Sequence, residues 1–401
     1  MKQSKRIWGM VLYAGLVAVG GAWAHGGKGP ADQDEKYLGW EQKWQAVGGE
    51  NWASEDVYLR YNRVEGLFMG AREPRSYRGN RGHTSYGHLG YSFGASHWQY
   101  QVGTEVFTFH GPSQWGRNLS SIGGELHDVT ASQDGWLLSA EENSLYAGLF
   151  RRDFFDYYRS RGWSLYTIQN FAGLVHLTGR LGQDEFYALD ELVDWVLVDN
   201  RVARKAFRAN PDIDVGTATS LRLDIQLDNR RPGQRRGWLV NHMIEQGGGG
   251  LGGDFAFRRQ LFEVRRYQPL AQGAGQLDLR LRLGRGERQM PRQYQYDIGG
   301  FASLRGYPYK AFSGDRMVLF NAEYWIEDIG VLFDMGAAWF SPAGAQRALA
   351  GGLIEPAIQA EFKKSLGFAA RIDDDFQLGM ARPLDGEEED WRYFARCSRT
   401  F

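Results

Sequence analysis

Cysteine is nearly absent: Cys397 is the only one in 401 residues. A disulfide framework and a cysteine-ligated zinc site are excluded by that count. Net charge is nearly absent too, formally −1 from 47 Lys and Arg against 48 Asp and Glu. No global field therefore recruits nucleic acid, and no nucleic-acid partner is expected. Beyond the first two dozen residues no run approaches the ~18 apolar residues that a helical span needs. With a mean hydropathy of −0.48, a polytopic helical membrane protein is excluded. The eight histidines are scattered without an H-E-x-x-H spacing. Glu125, His127, Asp128 and Asp134 gather in "GGELHDVTASQDGW", a stretch better read as a polar strand end and turn than as a metal site. No catalytic residue, metal or cofactor is expected, and the chain is not expected to be an enzyme.

What is abundant points elsewhere. There are 53 glycines, roughly double the usual ~7%, and aromatics reach 14%. At the N-terminus Lys2, Lys5 and Arg6 precede the apolar run "IWGMVLYAGLVAVGG", which ends in Ala22-Trp23-Ala24. A charged start, an apolar middle and a small-x-small close predict a secretory signal over residues 1–24; the competing reading is a retained membrane helix. Residues 25–58, polar and Gly-rich, are expected to form a short periplasmic segment before a barrel over 59–401.

Several stretches alternate with period two. In "SLRLDIQLDN" Leu221, Leu223, Ile225 and Leu227 share one face, and Arg222, Asp224, Gln226 and Asp228 the other. "GQLDLRLRLG" repeats the pattern, with Leu277, Leu279, Leu281 and Leu283 against Gln276, Asp278, Arg280 and Arg282. In a soluble sandwich the apolar faces pack together. In a transmembrane barrel they meet lipid while the polar faces line the lumen. An export signal and an abundance of Tyr and Trp near strand ends favour the barrel. The last strand, "WRYFARCSRTF", alternates Trp391, Tyr393, Ala395 and Cys397 with Arg392, Phe394 and Arg396, and ends on Phe401. Tyr393 and Phe401 resemble the C-terminal signal by which outer-membrane barrels are recognised for folding, and Cys397 is expected to face lipid.

The fold expected is all-β, a transmembrane antiparallel barrel of about fourteen strands, between twelve and sixteen. Residues 59–72 and 165–187 are each read as one strand. With the N-terminus in the periplasm, 94–96, 229–233, 327–328 and 373–374 fall at periplasmic turns. The connections 188–212, 286–314 and 342–362 fall outside. "SAEENSLYAGLFRRDFFDYYRSRG" opens on a Ser139/Glu142 capping-box spacing and predicts one amphipathic helix over about 139–161, placed on the periplasmic side, where a periplasmic partner could dock. Outer-membrane lipid is the expected surrounding.

One connection carries a constellation. "GGFASLRGYPYKAFSGDR", residues 299–316, sets Arg305 between a leucine and a glycine. Alternation in the next two strands, "RMVLFNAEYWI" and "GVLFDMGAAWF", turns Glu323 and Asp334 into the lumen. A guanidinium on a loop folded back inside could bridge both carboxylates.

These residues, with the terminal aromatic strand, resemble the BamA/TamA-type outer-membrane assembly superfamily, also called the bacterial surface antigen family. The resemblance is carried by 295–401, and more weakly by "YNRVEGLFMGA" at 61–71. It implies that Arg305, Gly306 and Tyr307 form the family's Arg-Gly-aromatic motif on an inward-folded plug loop, 286–314, with Glu323 and Asp334 holding the arginine. It further implies a role in inserting or translocating other outer-membrane or secreted proteins. The 25–58 segment is too short for the family's periplasmic transport-associated repeats, so a branch without them is expected. The alternative function is a passive or structural barrel with a loop-plugged lumen.

Overall fold

The computed structural model describes residues 57–75, 82–113, 116–197, 206–230, 235–270, 275–288, 290–341, 360–372, 376–385 and 390–397. The predicted signal, residues 25–56 of the expected N-terminal segment and Phe401 lie outside them, while Val57 and Tyr58, expected in that segment, belong to the first strand. Eleven strands come first: β1 (Val57–Asn62), β2 (Gly66–Glu73), β3 (His83–Ser92), β4 (His97–Ser113), β5 (Gly116–Ala131), β6 (Tyr158–Phe171), β7 (Val175–Ala188), β8 (Gly216–Asp228), β9 (Gly237–Gly247), β10 (Phe257–Leu270) and β11 (Gly275–Arg288). A small hairpin, β12 (Tyr296–Ile298) and β13 (Phe312–Gly314), interrupts them. Then follow β14 (Arg316–Ile326), β15 (Ile329–Trp339), β16 (Lys363–Arg371), β17 (Gln377–Pro383) and β18 (Arg392–Arg396). All except β12 and β13 join one 16-stranded antiparallel sheet in chain order. One α-helix, α1 (Ala140–Phe150), lies in the β5–β6 connection.

Burial along the sheet is the reverse of a soluble protein's. Leu221 and Leu223 on β8 are 54% and 41% exposed, whereas Arg222 and Asp224, alternating with them, are buried. On β11 Leu281 is exposed while Arg280 and Arg282 are buried. Among the described residues no second sheet covers the outward apolar face, which argues against the sandwich and fits a face solvated by acyl chains. Inside, charge is met by charge. Glu263 on β10 receives Arg265 (2.6 Å), Arg280 (3.1 Å) and Arg282 (2.6 Å). Such pairing is required, because an unpaired buried ion costs several kcal/mol, on the order of 3–5 when its partner is removed.

The strand count exceeds the expected fourteen because two hairpins interrupt what reads as continuous strand. In 59–72, Asn62 accepts the N–H groups of Val64 (3.1 Å) and Glu65 (2.8 Å) through Oδ1, and Gly66 takes φ +64°. In 165–187, Ala172 (φ 58°) and Gly173 (φ 70°) make a two-residue turn of the I′ kind. Its first N–H is satisfied by Asn118 Oδ1 at 2.8 Å.

Each missed turn inverts the direction of every later strand, so the two cancel after residue 174. The turns after that point fall at the expected ends; 94–96 and the helix, lying between, do not. The β3–β4 turn and α1 share the end of the sheet that carries the 290–315 connection, and the periplasmic placement of the helix is corrected. α1 is also shorter than 139–161. Arg151 adopts a left-handed conformation (φ 51°) and closes the helix, and Tyr158–Phe171 is taken into the ladder with β5. Six residues of α1 are buried and the other five half-buried.

Candidate functional site

The connection from β11 to β14 turns back into the sheet's interior. β12 and β13 pair at its base, and the tip between them is built on two glycines. Gly299 has φ +122° and Gly300 φ +91°, a region that residues with a Cβ rarely enter. At Gly299 a Cβ would stand 2.3 Å from the Pro308 carbonyl oxygen. The Gly300 N–H is shared between the carbonyls of Leu304 (3.1 Å) and Tyr307 (3.2 Å), and the Gly299 N–H donates to Ser303 Oγ (2.8 Å). This closed tip presents Arg305 to the wall.

The receiving strands are set by alternation and register. Asn321 on β14 stands opposite Asp334 on β15, and Glu323 opposite Leu332, so the two carboxylates are diagonal neighbours on the inner face. Arg305 spans them. Its Nη1 donates to Glu323 Oε1 (2.6 Å), its Nη2 and Nε to Asp334 Oδ1 (2.6 and 3.0 Å), and its backbone N–H to Asp334 Oδ2 (2.9 Å). The group is closed from water: Arg305 is 5% exposed and Asp334 1%. Burial works against the guanidinium's charge, but Asp334 and Glu323 outweigh it and raise the Arg305 pKa. Asp334 also accepts from Asn321 Nδ2 and Ser365 Oγ (each 2.8 Å), and Glu323 from Trp325 Nε1 (2.9 Å).

Gly306 and Tyr307 tie the tip to the last strands. A Cβ on Gly306 would meet the Arg382 carbonyl carbon at 2.5 Å, and its carbonyl accepts from Arg392 Nε (3.0 Å). The Tyr307 hydroxyl donates to the carbonyls of Asp385 (3.1 Å) and Lys364 (3.3 Å). On the other side Lys310 reaches three carboxylates: Asp134 (2.8 Å), Asp156 (2.5 Å) and Asp297 (3.2 Å). Burial holds the Asp134 carboxyl up to about 6 in spite of Lys310. Asp156 is also buried, but Lys310 and Arg208 bring it down to about 2. Beside this cluster a cavity of about 570 Å³ is lined by Trp136, Arg259, Tyr294, Tyr296 and Lys310 among others.

The structure thus brings Arg305, Gly306, Tyr307, Glu323 and Asp334 to one place. Tyr393 stands apart, 74% exposed on the outward face. Of Glu125, His127, Asp128 and Asp134 only the first two stay together (3.5 Å): His127 also meets Asp184 (2.8 Å), Asp128 meets Arg159 (2.6 Å), and Asp134 goes to Lys310. Among the described residues no group of three or more His, Cys, Asp or Glu could hold a metal. Sequence reasoning missed Asn321, Ser365 and Trp325 around the pair, and the Lys310 cluster. The first three carry only the inward phase of their strands as a signal. Lys310 finds two of its partners, Asp134 and Asp156, 176 and 154 residues upstream, which no local pattern announces.

Residues 129–348, more than half of the chain, match the family model described as the Omp85 superfamily domain. The match runs through the middle of the chain, where the motifs alone carried little. The outer membrane protein assembly factor BamA of Nitratidesulfovibrio vulgaris is 26% identical over 242 residues, 53% of this chain. The chain spans only 28% of that relative's length. Among solved structures, BamA from Haemophilus ducreyi lacking POTRA domains 1-3 is similar at a TM-score of 0.48 and 12% identity, covering 84% of this chain and 69% of that one. CdiB from Acinetobacter baumannii gives 0.40 and 14%, covering 84% and 57%. By the extent of the family match, and with its all-β sheet and outward apolar face, the chain belongs to the Omp85 superfamily of Gram-negative outer-membrane β-barrel proteins.

Proposed function

We propose that this protein is an exported outer-membrane barrel, its sheet closing between β18 and β1, that assists the insertion or translocation of other proteins. The observation that carries the reading is the Arg305 bridge to Glu323 and Asp334. A loop held inside by buried charge, whose next residue packs on β17 and is bonded by Arg392 of β18, ties the plug to the strands beside the seam. The name of the related assembly factor supports the same direction. No catalytic step is assigned to any residue.

A specific feature supports a second reading, a passive or structural barrel. The interior is crowded by paired charges such as Glu263 with its three arginines, as a lumen that is merely plugged would be. The outer-membrane proteome of a deletion strain, complemented with the wild type or Arg305→Ala, separates the two. A fall in other outer-membrane or surface proteins that only the wild type restores supports assembly or translocation. An unchanged proteome supports the passive barrel.

A further inference from the structure

β1 and β18 are the two ends of the sheet, and one helix touches both. α1 begins as a capped helix, with Ser139 Oγ accepting the Glu142 N–H at 3.1 Å. The reciprocal half of a capping box is not made. The Glu142 carboxylate instead leaves the helix for β18 and its end, accepting from Arg396 Nε (3.1 Å) and from the Cys397 backbone N–H (3.1 Å). One turn on, the Tyr146 hydroxyl donates to the Ala395 carbonyl. From the opposite flank, Ser144 Oγ accepts the Tyr61 backbone N–H of β1 at 3.1 Å. Three backbone groups of the terminal strands are therefore satisfied by side chains of a single helix.

Neighbouring parts back the helix. The Tyr61 ring packs on Trp195 with centroids 4.8 Å apart, its hydroxyl donates to the Trp195 carbonyl (2.6 Å), and the Leu197 N–H donates to the Gly148 carbonyl of α1 (2.8 Å). From the interior, Phe301 of the plug loop lies against Tyr146 and Phe154 (6.3 and 4.7 Å between centroids), and the Arg396 guanidinium sits 5.1 Å over its ring. The helix is wedged between a strap at 189–197 and the loop that Arg305 holds.

We propose that α1 is a bolt across the seam, engaging backbone groups on the edges of β1 and β18 so that the seam opens only when the helix withdraws. The proposal rests on the reading of β1 and β18 as facing one another in a barrel. An exposed strand edge is a template for another chain, and here side chains of the same chain occupy it. Phe301 further couples the bolt to the plug loop, so release of Arg305 would loosen both.

The test is hydrogen exchange on the purified full chain in lipid vesicles, comparing wild type with Ser144→Ala, Glu142→Gln and Glu142→Ala. Ser144→Ala removes one acceptor from an otherwise intact helix and is the variant least able to unfold the protein. Exchange in 57–62 is expected to rise about tenfold in Ser144→Ala, the scale of one lost hydrogen bond. Exchange in 392–397 should rise in Glu142→Ala, and less in Glu142→Gln, which keeps an acceptor. Peptides from β8 to β11 should not change. Labelling of Cys397, the chain's one cysteine, by a water-soluble maleimide should quicken in parallel. Edges that stay as protected as in the wild type overturn the bolt, and so does a uniform rise over the whole sheet. The measurement uses no cargo, so its outcome is separate from that of the proteome comparison.

Discussion

Arg305→Ala removes a guanidinium whose Nη1 lies 2.6 Å from Glu323 and whose Nη2 lies 2.6 Å from Asp334. The hydrogen bonds left behind set the size of the effect. Asp334 keeps the Arg305 backbone N–H (2.9 Å), Asn321 (2.8 Å) and Ser365 (2.8 Å), and Glu323 keeps Trp325 (2.9 Å). Neither carboxylate loses all its donors, but both lose their counter-charge in a site closed to water. Breaking a buried pair by removing one partner costs ~3–5 kcal/mol, and the surviving donors place this case near ~3. At about 1.4 kcal/mol per decade, the balance between held and released loop shifts roughly a hundredfold. The assay is limited proteolysis of the folded protein in vesicles with a protease that cuts after aromatics, since Phe301 and Tyr309 flank the altered position and neither precedes a proline. Cleavage there should quicken by up to that factor, and the melting midpoint should fall. A double-mutant cycle with Asp334→Asn should show strong coupling, because each change removes the same contact. Full additivity, or a cleavage rate equal to the wild type's, would refute the reasoning.

Gly306→Ala tests the backbone contact alone: a Cβ 2.5 Å from the Arg382 carbonyl carbon forces a shift costing ~1–3 kcal/mol, so the bond after Tyr309 should become cleavable with the Arg305 pair chemically intact. Leu223→Arg, on the outward face, should cost ~2–4 kcal/mol if that face lies at the bilayer midplane, read from urea unfolding in vesicles; a neutral result would argue that lipid does not cover β8. Asp134 gives a pH signature. Its folded pKa of about 6 exceeds the ordinary 3.8, so the native state holds more protons between these values and stability falls as pH rises from about 4 to about 6. Asp156, lowered to about 2, slopes the other way, adding stability as pH rises from about 2 to about 4. Asp134→Asn should flatten the loss between pH 4 and 6 in thermal melts, and an unchanged slope would remove Asp134 from the account.

Much of the wall was legible in the sequence, because a strand's side-chain period is two and lipid inverts which face is apolar. Leu221 and Arg222 needed only that rule, and Glu323 and Asp334 turned inward by it. The Arg305 loop was legible through its glycines and through the motif it resembles. What could not be read was anything that depended on long-range satisfaction. The turn at Ala172 is stabilised by Asn118, fifty-four residues away, and alanine gives no turn signal of its own. Missing it and the Asn62–Gly66 turn inverted the strand directions between them and sent α1 to the wrong end. Glu142 shows the same limit at one residue. Local chemistry marks it as half of a capping box, and only the approach of the last strand to α1 gives it Arg396 and the Cys397 amide. Local propensity and periodicity act within a few residues and fix each strand's faces. Which strands end beside which helix is settled by where buried backbone and charged groups find partners, and that is decided by the tertiary structure.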